Sequence, residues 1–117
     1  MRKLAHQEQQ GFVTIAQNSD VDYLQLAYVQ ALSVKLTMPG SKYAVIVDKT
    51  TLQSVTELHR KVFNYVITID DDQAENDPWK MRNEWQVFYL TPFKETIKLE
   101  SDLVFTRSIA HLSLIHI

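Results

Sequence analysis

Glu100-Ser101-Asp102 is the most chemically suggestive spacing in the chain. In extended backbone the side chains of residues i and i+2 point to the same side, so two carboxylates can converge on one hard cation. Mg²⁺ or Mn²⁺ prefers such oxygen ligands and commonly also binds the phosphate oxygens of a substrate. A cation held there would neutralise the charge that grows on a departing nucleoside diphosphate. A solvated acidic turn is the plainer alternative for the same pair.

Asp70-Asp71-Asp72 is a denser acidic run, but the polar stretch down to Pro78 has no periodicity and reads as an exposed loop or a lid. Lys80 and Arg82 follow it, where cations can meet a diphosphate or sugar hydroxyls, unless they are two exposed helix charges. Asn18 and Tyr23 flank the first strand-to-helix turn and suit hydrogen bonding and stacking with a base. Helix capping by Asn18 and core packing by Tyr23 are the alternatives. Trp79 and Trp85 fit core or lid anchors, and His6, His59 and His111 share no metal-site spacing.

These residues need a scaffold, and the pattern of the chain supplies one. Phe12 to Ala16, Tyr43 to Val47 and Tyr65 to Ile69 are short apolar, β-branched runs of the kind found in buried parallel strands. Tyr23, Leu26, Ala27, Ala31 and Val34 recur at helical spacing before Pro39-Gly40. Leu52, Val55, His59, Val62 and Phe63 predict a second helix beginning near Thr50 or Thr51. Met81, Trp85, Phe88 and Tyr89 predict a third, and Thr96 to Leu99 a fourth strand that runs into Glu100. The sum is an α/β domain, β-α-β-α-β-α-β, with a mainly parallel sheet between helices. Ligands in such sheets sit beyond the carboxyl ends of the strands, which draws attention to 16–19, 48–50, 70–72 and 100–102.

Composition narrows the function classes. The 117 residues suit one domain, residues 1–10 reading as an extension and 11–111 as the folded unit. A net charge of −2 with scattered Lys and Arg argues against direct nucleic-acid binding. With no cysteine there is no disulfide framework and no thiolate metal site. No segment is apolar for long enough to span a bilayer or to act as a secretion signal, so a cytoplasmic location is expected. The end, Leu112-Ser113-Leu114-Ile115-His116-Ile117, looks like a frame translation of the transposase end used in sequencing adapters, CTG TCT CTT ATA CAC ATC. On that reading residues 112–117 are foreign and His116 carries no function; an ordinary apolar strand is the alternative.

Four stretches carry a resemblance: Gly11-Phe12-Val13-Thr14-Ile15-Ala16-Gln17-Asn18, Ala31-Leu32-Ser33-Val34-Lys35, Val62-Phe63-Asn64-Tyr65-Val66-Ile67 and Lys98-Leu99-Glu100-Ser101-Asp102-Leu103-Val104. They resemble the front of glycogenin-like glycosyltransferases of family 8. With Trp79-Lys80-Met81 and Glu84-Trp85-Gln86-Val87-Phe88, the chain also resembles glycosyltransferase-like proteins of tailed phages and environmental sequences. The likeness covers roughly residues 11–109. It implies the N-terminal portion of a Rossmann-like GT-A fold and transfer of a hexose from a nucleoside-diphosphate sugar, UDP-linked, to an acceptor. It further implies Mn²⁺ or Mg²⁺ on Glu100 and Asp102, with Glu standing where the family's motif has Asp.

The same resemblance implies uridine contacts from Ile15, Ala16, Gln17, Asn18 and Tyr23, and a donor contact from Lys80 or Arg82. Further metal and acceptor residues of the family lie downstream of the matched region, so the 117 residues alone are expected to be inactive, and a phage origin would place the protein in host cytoplasm. Two other readings remain. One is a non-catalytic α/β nucleotide-binding or interaction module, for which Glu100 is the hint. The other is a nucleotidyltransferase, against which Gln17-Asn18-Ser19 has no glycine for a phosphate loop.

Overall fold

The computed structural model describes residues 8–69, 83 and 86–100. Strand β1 (Glu8–Ala16) leads to helix α1 (Tyr23–Thr37) and strand β2 (Tyr43–Val47). Two short helices, α2 (Lys49–Leu52) and α3 (Glu57–Val62), precede β3 (Tyr65–Thr68). One helical turn, α4 (Val87–Leu90), precedes β4 (Phe93–Lys98). The four strands form one sheet in the order β3-β2-β1-β4, and every neighbouring pair is parallel. The expected α/β class with a parallel sheet is therefore the observed one.

Period-two alternation sends β1 side chains to two cores. Phe12 and Ala16 join Leu24, Ala27, Ala31 and Val34 of α1, with Tyr43, Val45, Val47, Phe63 and Leu99, on one face. Val13 and Ile15 join Ala44, Ile46, Ile67, Ile69, Val87, Leu90 and Phe93 on the other. Helices thus lie on both faces, α1 on the first and α4 on the second. The strands step outward from β1 to β3, whereas β4, preceded by α4 on the opposite face, lies on the other side of β1. That reversal puts the topological switch point, where doubly wound sheets bind ligands, between the carboxyl ends of β1 and β4.

Three boundaries differ from the sequence reading. β1 begins at Glu8, inside the expected extension, because Glu8 and Gln10 pair with Phe93 and Glu95. β4 correspondingly starts at Phe93 rather than Thr96. The single helix expected from Thr50 to Phe63 is two helices. Ser54 N and Val55 N close tight turns on Thr51 O and Leu52 O, and Thr56 then starts a new helix. Its Oγ1 accepts from His59 N at 3.3 Å while His59 Nδ1 accepts from Thr56 N at 2.9 Å, a reciprocal capping box. Thr56→Ala is expected to cost about 1 kcal/mol in urea unfolding. A change within experimental error would show that the cap contributes nothing.

Among the described residues no helix is long and apolar enough to cross a membrane.

Candidate functional site

At the carboxyl end of β1 the chain emerges into a polar network that joins it to β2. Asp48, only 4 % exposed, follows β2 and caps α2: its Oδ1 accepts from Thr51 N at 2.8 Å. Its Oδ2 accepts from Gln17 Nε2 at 3.3 Å, so the glutamine amide is turned with its nitrogen toward the carboxylate. Gln17 is itself 4 % exposed, and its Oε1 has no hydrogen-bond partner among the described residues. Buried acceptors are seldom left without a donor, because desolvation without compensation costs about 1–3 kcal/mol. Thr51 Oγ1 accepts from Asn18 N at 2.8 Å, which fixes the next residue of the loop.

The amino end of α1 lies beside this loop, yet its first-turn donors are already used. Tyr23 N donates to Val21 O, Leu24 N to Asn18 Oδ1 at 2.9 Å, Gln25 N to Asp22 Oδ1 at 3.1 Å and Leu26 N to Asp22 O. A helix that receives a phosphate on its N-terminus needs those amides free. The loop of this chain caps them with its own side chains, in keeping with its lack of glycine.

At the exit of β4, Leu99 is buried and Glu100 exposed. Leu99 O accepts from Thr14 Oγ1 at 2.8 Å and Glu100 O from Gln30 Nε2 at 2.5 Å. Both carbonyls accept a hydrogen bond, and the charged ligand that Glu100 can offer a cation is its side chain. That carboxylate is 69 % exposed and stands 3.4 Å from Lys98 Nζ. Its hard oxygens fit one arm of a Mg²⁺ or Mn²⁺ site. The expected second arm, Asp102, lies outside the described residues, as do Lys80, Arg82 and 70–72. Among the described residues no three His, Asp or Glu side chains gather as a metal-holding group.

The other expected contacts divide by environment. The side chains of Ile15 and Ala16 are packed in the two cores, so only their main chain can meet a ligand. Tyr23 packs against the α1 core, the plainer of its two expected roles. Asn18 likewise serves as a cap for α1 through its Oδ1. Gln17 alone of the β1-loop candidates combines burial with an uncommitted polar atom. The strand pattern draws attention to 48–50 without giving Asp48 a role, and nothing in the local spacing singles out Thr14, Gln30 or Tyr43. The position of Asp48 directly after an apolar strand and three residues before Thr51 was the available signal.

No family model matches the chain, and no curated protein matches its sequence.

Proposed function

We propose that the protein is a nucleotide-sugar glycosyltransferase of the GT-A kind, which binds a nucleoside-diphosphate sugar, UDP-linked, at the carboxyl edge of its parallel sheet and passes the hexose to an acceptor with the help of Mg²⁺ or Mn²⁺. The observation that carries this reading is the buried, donor-less Oε1 of Gln17, held in place by Asp48 where β1 and β2 end. A uracil ring offers an imide N–H to such an acceptor. In that role Gln17 reads the base, Asp48 holds its amide in place and Asn18 shapes the loop. Glu100, with Asp102, would hold the cation, which supplies Lewis-acid neutralisation of the departing diphosphate. The engaged amides at the start of α1 fit a donor whose phosphates are carried by a cation rather than by a helix end.

Calorimetric titration with UDP, with and without Mn²⁺, tests the proposal, and binding that strengthens with the metal is expected. Gln17→Met keeps the length of the side chain and removes both polar atoms. It is expected to weaken UDP binding at least about tenfold and to lower stability by about 1–3 kcal/mol, because the buried Asp48 Oδ2 loses a donor. UDP binding equal to that of the wild type would remove Gln17 from the site.

A non-catalytic nucleotide-binding module is favoured by one specific feature, the Lys98–Glu100 ion pair, since an ammonium there competes with a cation for the same carboxylate. Turnover of a UDP-sugar by the full-length protein that vanishes in Asp102→Asn would reject that second reading.

A further inference from the structure

β4 is an edge strand of the described sheet, and its ladder with β1 ends at Lys98. Chain leaving the last rung of an edge strand is ordinarily free to drift, yet the next two residues are pinned. Leu99 N donates to Val13 O at 2.8 Å, Leu99 O accepts from Thr14 Oγ1 at 2.8 Å and Glu100 O accepts from Gln30 Nε2 at 2.5 Å. Gln30 is held in turn, its Oε1 accepting from Tyr43 OH at 2.6 Å. Thr14, Gln30 and Tyr43 are essentially inaccessible to solvent.

Gln30 belongs to the face of α1 that carries Ala27, Ala31 and Val34 into the core. A carboxamide there is costly to desolvate, and an apolar side chain of similar volume would fill the same space. What an apolar residue would not supply is direction. The amide is held at both ends, and its Nε2 donates to the carbonyl of Glu100, the residue whose carboxylate is the proposed metal ligand.

We propose that Gln30, seated by Tyr43, and Thr14 are positioning residues: they hold the backbone that leaves β4 so that the Glu100 carboxylate is presented at one place for a divalent cation. The inference rests on the metal-assisted reading given above. All three residues act through the main chain, and none needs to touch cation or donor. Groups that orient a metal ligand typically change metal affinity by about 10–100-fold when removed.

The test is Mn²⁺ affinity, read by electron paramagnetic resonance at saturating UDP, beside metal-free UDP affinity and thermal melting. In Gln30→Leu, Mn²⁺ binding is expected to weaken by about tenfold or more, with metal-free UDP affinity unchanged within about twofold. Tyr43→Phe and Thr14→Val are expected to move in the same direction by smaller factors. A merely structural role would shift melting alone. A folded Gln30→Leu protein with wild-type Mn²⁺ affinity overturns the inference; should that variant not fold, wild-type Mn²⁺ affinity in Tyr43→Phe overturns it equally. If the wild-type chain binds UDP but no Mn²⁺, the metal-assisted function falls and takes this inference with it. Mn²⁺ bound equally by wild type and variants removes the inference only.

Discussion

Phe93→Ala is expected to lower the unfolding free energy by about 3–5 kcal/mol in urea, the range for truncating a fully buried aromatic side chain. Phe93 is inaccessible to solvent, packs in the core on the α4 face, and meets Tyr65 edge-on with ring centroids 5.8 Å apart. Its ring also covers Gly11 so closely that a Cβ built there would fall 2.2–2.4 Å from three ring atoms. Phe93 thus occupies the space that a side chain on β1 would otherwise fill, and its removal leaves a void there.

The same geometry fixes the sign of a second measurement. Gly11→Ala alone forces the ring or the strand to move and should destabilise by about 1–3 kcal/mol. In the Phe93→Ala background the added methyl enters the void, and replacing a strand glycine itself gains about 0.5–1 kcal/mol. The second substitution should then be neutral or stabilising, a strong coupling in a double-mutant cycle. Additive costs would mean that the ring and the glycine do not share one space.

The parallel sheet was legible because its buried strands carry continuous apolar runs, and Tyr43 to Val47 is buried throughout. The inward positions Ala27, Ala31 and Val34 of α1 were legible from their spacing. The stripe was blurred by Val29, Leu32 and Leu36, which are apolar and exposed. The start of β1 was hidden for the opposite reason. Glu8 to Gln10 and Lys94 to Glu95 are polar, and what makes them strand is pairing between residues far apart in sequence, with Gln10 Nε2 donating to Glu95 Oε1 at 3.5 Å. Hydropathy records burial, and Gln10 and Lys94 lie exposed within their strands. The break between α2 and α3 turned on Thr56, which reads as one more polar residue in a helical pattern until its reciprocal bond with His59 is seen.

The candidate site was legible where it depended on topology and obscure where it depended on pairings between isolated polar side chains distant in sequence. Strand ends could be located, so Gln17, Asn18 and Glu100 were in view. Gln30 was not, because a glutamine within a helical pattern is ordinarily assigned to the wet face. Its partner Glu100 lies seventy residues away, and no local spacing encodes that pairing. Asp48 was overlooked because charge attracts attention in clusters, whereas this carboxylate stands alone and gains its importance from Gln17 and Thr51.

Tyr43 links these structural and functional threads, and alkaline unfolding should expose it. Its ring is wholly buried and stacks on Phe63 at 5.7 Å, while its hydroxyl seats Gln30. Burial pushes the phenol far above its ordinary ionisation range. The native state therefore keeps the proton where the unfolded chain, ionising near pH 10, releases it. Stability from this group is complete below about pH 10 and declines as pH rises further, by about 1.4 kcal/mol for each pH unit until the folded phenol itself ionises. Urea unfolding from about pH 8.5 to 11.5 should show that slope added to whatever the other tyrosines contribute. Tyr43→Phe should start about 1–3 kcal/mol less stable at neutral pH, because Gln30 Oε1 loses its donor. Its alkaline decline should be shallower, so the two curves approach one another as pH rises. Parallel curves would mean that Tyr43 ionises as easily folded as unfolded, and that the hydroxyl is not sealed into the bond that orients Gln30.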